Sequence, residues 1–155
     1  MKCVFSLVCC IIQLLSVGEF CKVKFFSNII DDITCVNIYQ NGKIKRLNFN
    51  DESFCGVISQ FKKFFDNTRE MPAFGVALHD ETINNIQSGV WVELEFDGIY
   101  KHNEMAFEKL LIQVQNDYSG FNIIRFYNGK YEGRCFYFDI IKGDMSLLYA
   151  YILNM

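Results

Sequence analysis

The chain has 155 residues and a net charge of −3, and its 51% hydrophobic content is enough for a packed core, which excludes a disordered protein. The acidic balance also excludes a general nucleic-acid binder, because such proteins need a basic surface to hold phosphates. One proline and 10 glycines leave no flexible linker within residues 21–155, which are predicted to form a single domain.

Residues 1–20 form a hydrophobic N-terminal segment typical of a secretion signal. Lys2 is followed by an almost uncharged run over residues 3–15, and Ser16 and Gly18 have the small-residue spacing that signal peptidase accepts. The run is shorter than the roughly 18 to 20 apolar residues that span a bilayer. We expect export or membrane association if residues 1–18 act as a signal and a cytoplasmic protein otherwise. A start of translation further downstream is a third interpretation.

The cysteines can be read in two ways. Cleavage after Gly18 would leave Cys21, Cys35, Cys55 and Cys135, and these four allow three disulfide connectivities that the sequence does not distinguish. In a reducing compartment the same residues would instead be thiols that pack as small hydrophobic groups. Cys55 lies beside a predicted apolar helix stripe, so it is expected to be packed.

The first clear element in chain order is a β-hairpin, which follows a short predicted strand at residues 22–26. Residues 33–40 and 43–49 flank Asn41-Gly42, a dipeptide that favours a two-residue type I′ turn. Such a turn fixes the register of the two strands. The predicted pairs are Gln40 with Lys43, Ile38 with Lys45 and Val36 with Leu47, and the predicted apolar face is Val36, Ile38, Leu47 and Phe49.

Three amphipathic helices are predicted. The first begins at Asn50 or Asp51 and cannot pass Met71, because Pro72 follows. The second runs from Asp80 to Gly89, and the third follows Asp144. The predicted apolar stripe of the first helix is Phe54, Val57, Ile58, Phe61, Phe64 and Phe65, and that of the third is Met145, Leu148, Tyr151, Ile152 and Met155.

The remaining strands lie between the second and third helices. Residues 90–97 alternate strictly, which predicts a strand with its even-numbered residues in the core and Trp91, Glu93, Glu95 and Asp97 in solvent. A loop at 98–105 precedes a strand at 107–115, whose predicted inward residues are Leu110, Ile112 and Val114. Residues 121–127 and 130–140 flank Asn128-Gly129 as a second hairpin, with Arg125 opposite Glu132 and Gly133 at a bulge. The predicted fold is therefore α+β, a mainly antiparallel sheet built from β-hairpins and covered by three amphipathic helices.

Few residues indicate chemistry. The sequence contains no phosphate-binding loop, no Gly-x-Ser-x-Gly and no Cys-x-x-Cys, so no cofactor is expected. His102 and Glu104 could join His79 and Asp80 in a metal or acid-base site, but only if the fold brings two loops together. A small enzyme or metal-binding protein that uses these four residues is the alternative hypothesis.

The second hairpin provides the leading hypothesis. Its strands carry aromatic residues on both faces, and one set is left for a partner, since aromatic side chains dominate contact hot spots. Residues 79–155 also carry 11 acidic against 6 basic residues. The missing catalytic motif favours a noncatalytic protein-interaction module over an enzyme, with an unknown protein or a second copy as partner, no nucleic acid, and a membrane only if residues 1–20 are retained. The predicted contact residues are Arg125, Tyr127, Tyr131, Arg134 and Tyr137, although ordinary ion pairs would also explain the two arginines.

Overall fold

The computed structural model describes residues 25–72, 86 and 88–155. The predicted N-terminal segment lies outside the described residues. So do His79, Asp80 and nearly all of the predicted second helix. Gly89, which was predicted to close that helix, has a φ of +84°, the left-handed conformation expected for it.

Eight strands in the described part of the chain form one sheet, in which every pair of neighbours is antiparallel. The sheet order is β2-β1-β4-β5-β6-β8-β3, and β7 pairs with β6. The strands are β1 (Ile33–Gln40), β2 (Lys43–Asn48), β3 (Thr68–Met71), β4 (Val90–His102), β5 (Met105–Val114), β6 (Gly120–Tyr127), β7 (Lys130–Tyr131) and β8 (Phe136–Ile140).

The predicted α+β class with a mainly antiparallel sheet is confirmed, but the cover of three amphipathic helices is not found. Among the described residues, α2 (Glu52–Phe65) has 14 residues and α3 (Ser146–Leu153) has 8. The helix α1 (Phe25–Ile29) has 5 residues and leads into a 3-10 turn (Ile30–Asp32). No helix in these stretches is long and apolar enough to cross a membrane.

Both two-residue turns adopt the predicted conformation. Asn41 and Gly42 have φ of 49° and 78°, and Asn128 and Gly129 have φ of 52° and 82°, as a type I′ turn requires. The three predicted pairs of the first hairpin are all observed. Phe49 was wrongly predicted to share the apolar face, since β2 ends one residue earlier and Phe49 is 64% exposed.

The second hairpin is shorter than predicted. The strand expected over residues 130–140 is broken into β7 and β8, and residues 132–135 form a loop between them. The Glu132 amide still donates to the Arg125 carbonyl oxygen at 2.8 Å, so these two residues lie opposite each other as expected. The break includes Gly133, where a bulge was predicted, and β8 pairs with the other half of β6.

The main core lies between α2, α3 and one face of the sheet. All six predicted apolar residues of α2 are buried, and so are the inward residues predicted for β4 and β5. Phe26 from α1 stacks on Phe65 with ring centroids 3.5 Å apart, and Phe138 and Phe121 continue the aromatic layer across β8 and β6. Asp144 accepts a hydrogen bond from the Ser146 amide at 2.9 Å, which supports the predicted start of the last helix.

Other predicted boundaries are wrong. Residues 25 and 26, expected in a strand, are helical, and the chain after α2 forms the edge strand β3. The loop predicted at 98–105 is a hairpin, because β4 continues to His102 and turns through Asn103 and Glu104. These two residues have φ of 48° and 62°, so a tight turn forms there without glycine.

The second face of the sheet is also partly buried, contrary to the prediction for β4. Trp91 is 1% exposed and Glu93 is 3% exposed, although both were expected in solvent. Trp91 packs with Leu111, Ile124 and Cys135 in a smaller core, which Tyr131 and other side chains cover. Alternation predicted correctly that Trp91 and Glu93 share a face, but it could not show that β7 and the following loop fold over that face.

The turn glycines give a stability prediction. Replacement of Gly129 by Ala should lower the free energy of unfolding by about 1 kcal/mol, because a Cβ at a φ of +82° is strained even in open space. Replacement of Gly133 is the matched control, since it also has no neighbour within 4 Å and no left-handed φ. Urea denaturation of the two variants checks this. Equal losses of stability would contradict a role for the turn conformation.

Candidate functional site

A buried carboxylate lies at the centre of the helix-free face. Glu93 accepts a hydrogen bond from Asn37 Nδ2 at 2.9 Å and another from the Tyr131 hydroxyl. Lys109 Nζ lies 3.5 Å from Glu93 Oε1, and the Tyr39 hydroxyl lies 3.4 Å from the same oxygen. Because an unpaired buried carboxylate is costly, these contacts are what allow Glu93 to stay in the sheet.

Glu95 continues this network toward solvent. Its carboxylate accepts hydrogen bonds from Lys109 Nζ and Asn37 Nδ2, both at 2.8 Å, and lies 3.0 Å from Arg46 Nη2. Burial acts to raise the pKa of Glu95, but the hydrogen bonds from Lys109 and Asn37 and the two nearby cations outweigh it, so the pKa lies below its usual value. Two carboxylates therefore face two cations.

The tyrosines of this network are hydrogen-bond donors at neutral pH. Burial, together with the Glu93 charge, raises the pKa of Tyr39 to about 12 and raises that of Tyr131 further. Since every carboxylate of the network has a donor, the cluster is suited to hold parts of the fold together rather than to react with a substrate. In particular, it fixes Tyr131, and hence β7, on the helix-free face.

Arg125 fixes the loop that follows β7. Its Nε donates to the Arg134 carbonyl oxygen at 3.0 Å and its Nη1 donates to the Ala106 carbonyl oxygen at 2.7 Å. The residue is 6% exposed, and no carboxylate of the described residues forms an ion pair with it. Burial lowers the pKa of Arg125, and the charge of Glu132 acts in the opposite direction. Arg125 therefore acts as an internal clamp on the 132–135 loop.

A cleft opens where β3, the β4–β5 turn and the start of β8 meet. We call it the β3 cleft; its volume is about 420 Å³. Apolar side chains supply most of the lining, and one acidic and one basic side chain face it. The lining residues are Glu70, Met71, Pro72, Asn103, Met105, Arg134, Cys135, Phe136 and Tyr137.

The five predicted contact residues do not form one surface. Arg134 and Tyr137 both line the β3 cleft, and Arg134 is exposed. Tyr131 instead turns its hydroxyl to Glu93, and Arg125 is buried beneath the loop. Tyr127 is half-buried. It pairs with Lys130, whereas Tyr131 pairs with Phe126, so Tyr127 and Tyr131 point to opposite faces of the sheet. Their role in binding stays a prediction, and the structure brings two of the five together.

His102, from the alternative metal hypothesis, lies beside the β3 cleft. Its Nε2 is 2.7 Å from Glu70 Oε2, and Asn103 Nδ2 donates to the other oxygen of Glu70 at 2.8 Å. The His102 ring also packs edge-on against Phe136, with centroids 5.0 Å apart. Glu104 is exposed at the turn. Within residues 25–72, 86 and 88–155, no three His, Cys, Asp or Glu side chains are grouped to hold a metal ion.

The described cysteines are all thiols. Cys35, Cys55 and Cys135 are free, so no disulfide joins these three residues, and Cys21 lies outside the described residues. Cys55 is exposed on α2, which corrects the expectation that it packs beside the apolar stripe. Cys135 is buried in the smaller core, and burial raises its pKa to about 11.

Comparisons of the chain with protein-family models, with curated proteins and with solved structures find no match. Function is therefore inferred from the β3 cleft and the contacts around it.

The Glu93 network was missed by sequence reasoning, although one signal for it existed. Trp91 occupies a position assigned to solvent, and a large aromatic residue there indicates that the face is covered.

The Glu95 contacts predict a pH-dependent stability. Replacement of Glu95 by Gln should lower the free energy of unfolding by about 2 kcal/mol at pH 7, because charged hydrogen bonds to Lys109 and Asn37 are lost. The pKa of Glu95 is lowered on folding, so its contribution is present above the ordinary value of 4.5 and disappears as the pH falls through the lower folded value. Denaturation at several pH values measures this.

The matched control for this experiment is replacement of Glu108 by Gln. Glu108 lies beside Lys109 on β5, and no hydrogen bond or ion pair to its carboxylate is found among the described residues. Its replacement should change stability by less than about 0.5 kcal/mol at any of these pH values. If the two variants lose the same stability at pH 7, the Glu95 contacts do not stabilise the fold.

The thiols predict a selective modification. Iodoacetamide should modify Cys55 before Cys35 and Cys135, because Cys55 is exposed and the other two described cysteines are buried. At a pKa of about 11 rather than 9.0, Cys135 would also form about 100-fold less thiolate than an ordinary thiol. Peptide mapping by mass spectrometry over time checks this. Modification of Cys135 in the folded protein as fast as Cys55 would contradict the buried position.

Proposed function

We propose that this protein is a noncatalytic protein-interaction module that contacts its partner through the β3 cleft. The observation that carries the proposal is that Arg134 and Tyr137, two predicted contact residues, line this one cleft. A pocket that combines apolar walls with an arginine and a tyrosine has the composition of an interface hot spot. Its volume accommodates one or two side chains of a partner.

The polar groups of the β3 cleft favour binding over catalysis. Glu70 is held by His102 and Asn103, so its carboxylate is not positioned as a free base. The Cys135 thiol stays protonated at neutral pH, which makes it a poor nucleophile. The alternative of a metal site or small enzyme draws no support from Glu104, which is exposed, or from His102, whose Nε2 faces Glu70.

The structural supports of the β3 cleft also favour a binding role. Arg125 holds the Arg134 carbonyl oxygen, and Glu93 holds Tyr131 two residues before Gly133. Both ends of the 132–135 loop are therefore fixed before a partner arrives. A preformed contact surface loses less conformational entropy on binding, which raises affinity.

Site-specific photocrosslinking tests this proposal. A photoreactive amino acid at position 134 or 137 should crosslink the same partner protein in the cells that produce the chain, because both positions line the β3 cleft. The same amino acid at position 147 is the control, since Leu147 is 83% exposed on α3, outside the cleft. With the purified partner, the double variant R134A/Y137A should raise Kd by at least about 10-fold.

Two results would contradict the proposal. One is crosslinking of the same proteins at positions 134, 137 and 147, which indicates nonspecific contact. The other is an unchanged Kd for the double variant, with its fold verified by an unchanged near-UV circular dichroism spectrum. Either result places the contact surface elsewhere on the molecule.

A further inference from the structure

Arg134 is an exposed cation in the lining of the β3 cleft. Among the described residues that line the cleft, it provides the one basic side chain. No hydrogen bond or ion pair to its guanidinium is found within the described part of the chain. Within these residues the surface ion pair that would have explained this arginine is not found, and the side chain of Arg134, with its five donors, is exposed.

Two acidic side chains, one in the lining of the cleft and one in the 132–135 loop, contact other groups. Glu70, on the cleft wall, contacts His102 at 2.7 Å and accepts a hydrogen bond from Asn103 at 2.8 Å. Glu132, in the same loop, lies 3.8 Å from Lys130. Neither carboxylate pairs with Arg134, so within the described residues its positive charge is available to a ligand.

Arg125 adds a second positive charge behind the loop. Its guanidinium is buried, contacts the Arg134 carbonyl oxygen and forms no ion pair with a described residue. A buried cation is poorly screened by solvent, so it raises the electrostatic potential at the surface above it. It also fixes the backbone that carries Arg134. Arg134 is thus carried by a backbone that the buried Arg125 fixes.

We propose that the β3 cleft binds an acidic side chain, Asp or Glu, from an exposed segment of the partner protein. The carboxylate would pair with the planar fork of Arg134, and an apolar neighbour in the same segment would pack on Met71, Pro72 and Tyr137. This inference rests on the proposed function, and it specifies the chemistry of the partner.

A carboxylate suits this cleft better than a phosphate does. Arg134 is the one basic side chain among the described residues that line the cleft, and Glu70 is part of the same lining. A phosphate group with nearly two negative charges would meet repulsion from Glu70 that a single charge meets less strongly. Phosphate sites in proteins are usually built from clusters of arginines, and anionic membranes need more basic residues still.

The test is a titration of the full chain, labelled with ¹⁵N, by two capped tripeptides followed by NMR. The first is acetyl-Leu-Asp-Leu-amide and the second is acetyl-Leu-Asn-Leu-amide, which differ in one charge. The Asp peptide should shift the amide signals of residues 70–71 and 134–137, and it should bind at least about 5-fold more tightly than the Asn peptide, as expected for one charged hydrogen-bonded pair.

Three variants assign this difference to Arg134. R134Q should abolish the preference for the Asp peptide, and R134K should retain part of it, because an ammonium keeps the charge without the planar fork. K142Q is the matched control, since Lys142 is an exposed cation outside the cleft lining, and it should keep the full preference. The amide spectrum of each free variant shows that its fold is unchanged.

Several outcomes would overturn the inference. These are equal affinity for the two peptides, a preference that survives in R134Q, and tighter binding of inorganic phosphate than of the Asp peptide at the same signals. The proposed function fails separately. If a crosslinked partner binds R134Q as well as the native chain, the interaction module stands and the acidic ligand is wrong. If the chain prefers the Asp peptide but no partner crosslinks at positions 134 and 137, the acidic ligand stands and the interaction module is wrong.

Discussion

The buried carboxylate of Glu93 constrains much of this structure. It lies on β4, near the middle of the sheet, where an unpaired charge would be costly. Asn37 on β1, Lys109 on β5 and Tyr131 on β7 supply its contacts, so one side chain ties four strands together. The Tyr131 hydroxyl reaches Glu93 only if β7 folds over the helix-free face, and that placement buries Trp91 and sets the start of the 132–135 loop.

The β3 cleft follows from this placement. With Tyr131 fixed, Arg125 can donate to the Arg134 carbonyl oxygen, and the chain then enters β8 beside β3. Arg125, which holds the loop, is buried, and Arg134, which lies in the loop, is exposed. The two arginines therefore have different roles. A surface with this charge and these apolar walls is suited to an acidic protein segment, which is the chemistry that we propose for the partner.

Local patterns predicted the parts of the fold that depend on neighbouring residues. The two Asn-Gly turns, the register of the first hairpin and the apolar stripe of α2 are all observed. Predictions failed where residues distant in sequence determine the strand pairing or the burial of a side chain. β3 is four residues long and gains its partner from β8, about 70 positions later in the chain. Glu93 was assigned to solvent because alternation identifies the face of a residue and not what covers that face.

The sequence by itself determined an antiparallel α+β domain, its two glycine turns and the positions of α2 and α3, because turn chemistry and hydrophobic period act over a few residues. Only the tertiary structure decided that Arg134 and Tyr137 share a cleft while Tyr131 and Arg125 support the fold. These roles depend on which side chains meet across strands distant in sequence. The deciding contact is the pairing of β6 with both β7 and β8. It places Tyr131 of β7 against Glu93 and leaves Arg134 and Tyr137 at the β3 cleft.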